Sequence, residues 1–150
     1  MYEAIADVSE ITVKRLENPE PIKIYPLIKQ LHPELTYPLF YQYFMDMRNQ
    51  NYFMIAAYDQ ENIIAMTGCW VATKFYCGRY LLIDSFVVDE HYRNQAVGSK
   101  IMDSVLTEAK RLKCDSVTLN AYLWNGAAQR FYGRYQFETI GHHMVLNLGA

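Results

Sequence analysis

The sequence predicts a mixed α/β (α+β) domain, with helices covering the faces of a mixed sheet. Three observations predict it. Stretches rich in β-forming apolar residues recur early, in the middle and late in the chain. Two segments after residue 96 carry apolar residues at helical spacing instead. The resulting order, β-α-α-β-β-β-α-β-α-β, is not a simple alternation of strand and helix. The 150 residues suit one domain, residues 1–150, and a chain of that length buries roughly 68–70% of its extended surface without disulfide or metal staples. Hydrophobic residues make up 51% and charged residues 20%, which excludes a disordered tail, a collagen-like repeat and a low-complexity linker.

The elements follow in order. Residues 11–16 read as a short strand. Residues 21–31 and 34–48 read as two helices punctuated by Pro21, Pro26, Pro33 and Pro38. Residues 52–58 are β-rich and end in the turn 59–62. Residues 63–76 form a second, long strand, in which Gly68 marks a bulge or a close backbone approach. Cys77, Gly78 and Arg79 make a hairpin turn. Residues 80–88 (YLLIDSFVV) are apolar on both faces and are expected to form a central, fully covered strand. Val97, Ile101, Val105, Ala109 and Leu112 set a helix of about four turns. In residues 116–123, Val117, Leu119, Ala121 and Leu123 alternate onto one face of a strand. Ala127, Ala128, Phe131, Tyr132 and Tyr135 stripe a last helix, and residues 137–148 are β-rich again.

Charge and cysteine usage narrow the function. The net charge is −2 and the pI about 6.1, so no overall basic footprint for nucleic acid exists. Cys69, Cys77 and Cys114 are odd in number and form no CxxC pair, which argues against a disulfide framework or a thiolate zinc site and fits a reducing compartment. The first ten residues carry Glu3 and Asp7 and no basic residue, unlike a signal peptide. The most apolar stretch, residues 63–72, is shorter than the about 20 residues that span a bilayer. A soluble, cytoplasmic protein is expected, with no nucleic-acid or membrane partner; a homodimer stays open.

Two stretches carry chemistry. In residues 87–102 (VVDEHYRNQAVGSKIM) a strand leads through a polar loop and a small-residue turn into a helix. Small residues there let a ligand approach the backbone, and the first helical amides offer a phosphate site with Arg93 beside it. The same pattern also describes an ordinary strand-to-helix turn. In residues 124–137 (WNGAAQRFYGRYQF), Asn125 suits a helix N-cap, and Phe131 and Tyr132 alone read as core aromatics.

Together the two stretches resemble the GNAT superfamily of acyl-CoA-dependent N-acetyltransferases, of the small bacterial type. Its pyrophosphate loop, Arg/Gln-x-x-Gly-x-Gly/Ala, is matched by Arg93, Ala96 and Gly98, with Ala96 in place of the first Gly. Its later helix, Asn-x-x-Ala-x-x-Phe-Tyr, is matched by Asn125, Ala128, Phe131 and Tyr132, and Gln136-Phe137 takes the place of a Gly-Phe pair. The run FETIGHHMVLNL is similar to the family's ending, where paired His open the last strand. The resemblance implies a mostly antiparallel sheet flanked by helices, in the order β-α-α-β-β-β-α-β-α-β-β. It implies acetyl transfer from acetyl-CoA to an amine of a small molecule or peptide by direct attack on the thioester, without a metal. A GNAT-like module that binds acyl-CoA without turnover is the alternative, and Ala96 is its main support.

The resemblance also implies roles. Acetyl-CoA would contact Phe86, Val87 and Val88, the loop residues Arg93, Asn94, Gln95, Ala96, Val97, Gly98 and Ser99, and Asn125 and Ala128. Tyr132 would protonate the departing thiolate, and a backbone N–H near Val88 would meet the oxyanion. Asp84 is a carboxylate within the strand expected to be most buried, so it must be paired, water-connected or protonated. It serves either as a bridge to a neighbouring strand or as a general base for the acceptor amine. An Ala96 residue is tolerable at negative φ and strained at positive φ. His142 and His143 are adjacent, so on a strand they cannot readily chelate one ion. Cys114 is expected to be a small buried hydrophobe, and Arg130 and Arg134 to share a solvated helix face. Tyr37, Phe40, Tyr41, Tyr43 and Phe44 would wall the acceptor pocket, some of them packing on the sheet.

Overall fold

A computed structural model describes residues 10–121 and 125–149. Strand β1 (Thr12–Leu16) is followed by helices α1 (Pro21–Leu31) and α2 (Tyr37–Met47), then by strands β2 (Tyr52–Asp59), β3 (Asn62–Lys74) and β4 (Gly78–Val88). A single 3₁₀ turn (Glu90–Tyr92) leads into α3 (Val97–Arg111), β5 (Ser116–Leu119) and α4 (Gly126–Arg134). The strands form one sheet in the order β1-β2-β3-β4-β5. The first four pair antiparallel and β5 joins β4 in parallel. A parallel neighbour requires a crossover, and α3 supplies it.

The local sequence accounts for the helix starts. Proline stands at the first turn of both α1 and α2, where its missing N–H costs nothing. Helix α2 begins at Tyr37, not at residue 34, because Thr36 is its N-cap: its hydroxyl accepts from the Leu39 N–H at 3.4 Å. Asn125 caps α4, its Oδ1 accepting from the Ala128 N–H at 3.1 Å.

Each face of the sheet has its own core. Helix α3 buries Val97, Ile101, Met102, Val105 and Ala109 against Ile55, Ala57, Ile64, Leu81 and Ile83. Helices α1 and α2 bury Ile24, Leu27, Phe40 and Phe44 against Met54, Ala56, Met66 and Val87. The alternation of β2 explains the division: Phe53, Ile55 and Ala57 face α3, whereas Met54 and Ala56 face α1 and α2.

Four sequence expectations are corrected. Strand β4 is not fully covered: Asp84 is exposed, and β5 pairs only with Tyr80–Ile83, leaving residues 84–88 beyond the parallel ladder. Strand β5 ends at Leu119 rather than at residue 123, and residues 122–124 lie outside the described residues. Residues 137–148 form no strand, and residues 138–149 are exposed throughout. An alternating pattern becomes a strand only where a partner edge accepts its hydrogen bonds, and no described strand lies beside this run. The long third strand also stops at Lys74, where residues 75–77 turn and Gly78, at φ +76, enters β4.

Candidate active site

The site is organised by a bulge in β4. Met66 pairs with Val87 but Gly68 pairs with Asp84, so Ser85 and Phe86 together oppose Thr67 alone. Ser85 takes φ +54, a left-handed conformation uncommon for a residue with a side chain. The extra residue reverses the alternation. Leu81 and Ile83 face α3 before the bulge, and Phe86 and Val88 face α3 after it. Asp84 and Val87 thereby point to the α1–α2 side. The hydroxyl of buried Thr67 donates to the Gly68 carbonyl at 3.2 Å and lies 3.3 Å from the Asp84 carbonyl, fixing the distorted segment.

On the α1–α2 side, the indole Nε1 of Trp70 donates to Asp84 Oδ2 at 3.0 Å. The Trp70 ring lies 4.6 Å from that of Tyr52. Tyr52 itself crosses the backbone of Gly68, where a Cβ would come within 2.3 Å of its hydroxyl. Gly68 is therefore required by close approach, and the bulge lies beside it, as the sequence suggested. Burial first, and the charge of Asp84 second, push the Tyr52 phenol well above its ordinary 10.0. Trp70 and Tyr52 are site residues that sequence reasoning missed; the glycine opposite Asp84 was the available signal.

On the other side, α3 starts from a strained loop. Asn94 and Ala96 both have positive φ, +63 and +62, and Ala96 is the N-cap residue in the left-handed region. The condition set for Ala96 is thus met on its unfavourable side: the methyl is strained. No side chain caps α3, so its first-turn amides remain available to an anion. Gln95 donates to the His91 carbonyl at 3.3 Å, and Asp89 caps the 3₁₀ turn through the His91 N–H. Arg93 is exposed, and its Nε donates to the Val88 carbonyl at 3.2 Å, tying the loop to the end of β4. Val97 is buried, whereas Gly98 and Ser99 are half-buried.

Helix α4 closes this side. Phe131 stacks edge-on to Phe86 at 5.9 Å and sits over Gly98, whose absent Cβ would lie 3.6 Å from it. The Tyr135 hydroxyl lies 3.3 Å from both the Ser99 carbonyl and an Asp103 carboxylate oxygen, joining α4 to α3. Tyr132 is half-buried among Phe86, Phe131 and Phe137, and burial raises its phenol above the ordinary 10.0. Asp84 stands just beyond the stretch of β4 that pairs with β5, on the α1–α2 side, and Tyr132 packs on Phe86, two residues further along the strand, on the α3 side.

The remaining candidates fall elsewhere. His142 and His143 are exposed beyond the last helix, and the described residues contain no cluster of His, Cys, Asp or Glu suited to a metal. Cys114 packs half-buried against the α3 core. Arg130 and Arg134 are exposed, the latter over the Phe131 ring. In α2, Phe40 and Phe44 are core, whereas Tyr41 and Tyr43 are exposed. A cavity of about 350 Å³ lined by Arg15, Phe53, Val71, Arg79 and Leu112 lies at the opposite end of the sheet, beyond α3. No helix among the described residues is long and apolar enough to cross a membrane.

Comparison with known proteins agrees with this architecture. Residues 12–137 match the family model described as the acetyltransferase (GNAT) family. The chain is 28% identical over 121 residues to glucosamine 6-phosphate N-acetyltransferase 1 of Dictyostelium discoideum, covering 77% of this chain and 75% of that protein. Its fold is similar to that of glucosamine-6-phosphate N-acetyltransferase from Arabidopsis thaliana, with a TM-score of 0.71, 21% identity, and 93% and 99% of the two chains covered. It is also similar to an aminoglycoside acetyltransferase from an uncultured soil metagenomic sample, solved with trehalose, with a TM-score of 0.82, 17% identity, and 95% and 99% covered. The family match spans most of the chain and includes both the α3 loop and α4, so the protein belongs to the GNAT acetyltransferase family and is an N-acetyltransferase that moves an acetyl group from acetyl-CoA to an amine.

Proposed function

We propose that the acceptor is the primary amine of a small molecule, with Asp84 as general base and Tyr132 as general acid. The observation that carries this reading is the exposed Asp84 carboxylate, held by Trp70 Nε1 at 3.0 Å where β4 parts from β5. An amine arrives as an ammonium ion with a pKa of about 10.4 for a lysine-like group. A carboxylate attracts that cation, and the Trp70 and Tyr52 rings beside it suit cation–π contact. Asp84 then accepts the ammonium proton, directly or through water, leaving a neutral nucleophile. The thioester substrate supplies the activated acyl carbon. A backbone N–H near Val88 stabilises the developing oxyanion, and the Tyr132 phenol gives its proton to the departing sulfur. The relative in Dictyostelium discoideum, which acts on glucosamine 6-phosphate, supports a small acceptor over a peptide. Three free thiols support a reducing, cytoplasmic location.

The coenzyme half of the site rests on the α3 loop. In this reading Gln95, Ala96, Val97, Gly98 and Ser99 hold the pyrophosphate through backbone amides, with Arg93 and Asn94 at its edge. Phe86, Val87 and Val88 line the acyl arm, and Asn125 and Ala128 line its other wall. The uncapped first turn of α3 is what an anion needs. Two substitutions check it by calorimetric titration with acetyl-CoA. Gly98→Asp places a like charge and added bulk against Phe131 and Phe86, and is expected to weaken binding at least tenfold. Ala96→Gly removes a methyl held at φ +62 and is expected to tighten binding several-fold. It also relieves a strain of about 1 kcal/mol, raising Tm by about 2–4 °C. Wild-type affinity in Gly98→Asp would remove the pyrophosphate from this loop.

Coenzyme-thiol release with a panel of amines tests the reaction. Glucosamine 6-phosphate, an aminoglycoside and an unblocked peptide are the three probes. Release is expected above the amine-free rate with a small amine and at background with the peptide. Release with the peptide alone would overturn the acceptor assignment. Binding of acetyl-CoA with no release in any arm would favour the binding-module alternative.

A further inference from the structure

We propose that Gln30, on α1, is a positioning residue for acetyl-CoA binding: it fixes the start of the coenzyme loop from the opposite face of the sheet. The inference rests on the reading that the α3 loop holds the pyrophosphate. Gln30 lies half-buried in the last turn of α1. Its side-chain amide is used at both atoms. Nε2 donates to Asp89 Oδ2 at 3.3 Å, and Oε1 accepts from the Glu90 N–H at 3.1 Å. Helix α1 packs on the face that carries Met54, Met66 and Val87, whereas the loop leads into α3 on the other face. The amide therefore reaches around the end of β4 and joins the two sides.

These bonds converge on Asp89. Its Oδ1 accepts from the His91 N–H at 2.9 Å, its own N–H donates to the Ile64 carbonyl at 2.8 Å, and its carbonyl accepts from the Tyr92 N–H at 2.8 Å. The first N–H groups of a helical turn have no partner within it, so Gln30 and Asp89 satisfy the Glu90 and His91 donors between them. From another direction, the Tyr92 hydroxyl donates at 2.7 Å to Asp59 Oδ2, at the end of β2. The turn is thus set by side chains from outside the loop. Directly after it come Asn94 and Ala96, at φ +63 and +62. Residues keep such dihedrals where the surrounding structure over-determines them. Amides already aimed at an anion bind it without a further ordering cost. Loosening Asp89 brings that cost into coenzyme binding and leaves the chemical step alone.

Gln30→Met keeps the length of the side chain and removes both bonds. Calorimetric titration is expected to show acetyl-CoA affinity about three- to tenfold weaker, the scale set by hydrogen bonds of modest net worth. KM for acetyl-CoA should rise alongside, while kcat at saturating coenzyme stays at the wild-type value. Glu90 is exposed, so its freed N–H turns to water and the melting temperature should stay within a few degrees. Gln30→Glu sets a carboxylate against Asp89 and should also weaken binding. The double variant Gln30→Glu/Asp89→Asn exchanges amide and carboxylate, keeps a donor–acceptor pair between the two positions, and should return to within about twofold of the wild type if the pair is coupled. Wild-type affinity in Gln30→Met overturns the inference, and with a lowered melting temperature it leaves Gln30 as a brace of the fold. A double variant as weak as Gln30→Glu overturns it too. Gly98→Asp run in parallel separates the two levels. Normal binding there removes the loop assignment itself, whereas weak binding there with normal binding in Gln30→Met rejects only the role of Gln30.

Discussion

Tyr132→Phe is expected to fold as the wild type and to lose about 100-fold in kcat, the lower end of what general acid catalysis contributes. The ring contacts of Tyr132 with Phe86, Phe131 and Phe137 all survive in phenylalanine, so the packing of α4 is preserved. Only the hydroxyl is removed, and with it the proton that the proposed general acid would offer to the leaving thiolate. A group that acts only in the transition state lowers kcat and kcat/KM together, so acetyl-CoA affinity should stay near the wild-type value. The pH dependence carries a second signature. Burial raises the Tyr132 phenol above 10.0, which favours the protonated, donating form. The alkaline limb of the wild-type kcat profile is therefore expected above pH 10, and the same limb should be missing in the variant. Steady-state kinetics at saturating amine, with a coenzyme titration alongside, measures both. Unchanged turnover would return Tyr132 to the role of a core aromatic.

Much of this architecture is legible in the chain because local chemistry decides it. Pro21 opens α1 at the first residue expected, and the apolar spacing from Val97 marks an α3 of fifteen residues. Asn125 caps α4 by the side-chain bond that its position promised. Each of these depends on neighbours a few residues apart. The bulge at Ser85 does not. A run of apolar residues on either side of Asp84 reads as a strand covered on both faces, and nothing local reveals that the alternation reverses after Asp84. Only the register against Gly68 and Met66 discloses it.

The same limit hid the partners of Asp84. Trp70 lies fourteen residues away and Tyr52 thirty-two, and both reach the carboxylate's neighbourhood through cross-strand pairing. The apolar strand around it predicts a buried carboxylate that is paired, water-connected or protonated; the structure has an exposed carboxylate accepting an indole hydrogen bond. Residues 137–148 failed for a different reason. Their pattern is that of a strand, but pattern specifies which face would be buried, not whether an edge is within reach.

Asp84→Asn separates a base from a structural carboxylate, and the exposed setting of Asp84 sharpens the contrast. Asparagine keeps an oxygen that can accept from Trp70 Nε1, and Asp84 is exposed, so at most one hydrogen bond of about 1 kcal/mol is at stake in the fold. A melting temperature within a few degrees of the wild type is therefore expected. The rate should behave otherwise. At neutral pH the acceptor amine is almost wholly protonated, and without a carboxylate to take its proton the reaction waits on the small neutral fraction. A kcat/KM loss of about 100-fold is expected at pH 7. As pH rises toward the amine's own pKa, about 10.4 for a lysine-like group and lower for an amino sugar, the neutral form accumulates without help and the defect should shrink steadily. A carboxylate that merely positioned β4 would give a rate loss of similar size at every pH where the protein stays folded. A pH–rate profile and a thermal melt on the one purified variant distinguish the two. A fully wild-type profile with a wild-type melt rejects both and leaves the amine to be deprotonated by solvent alone.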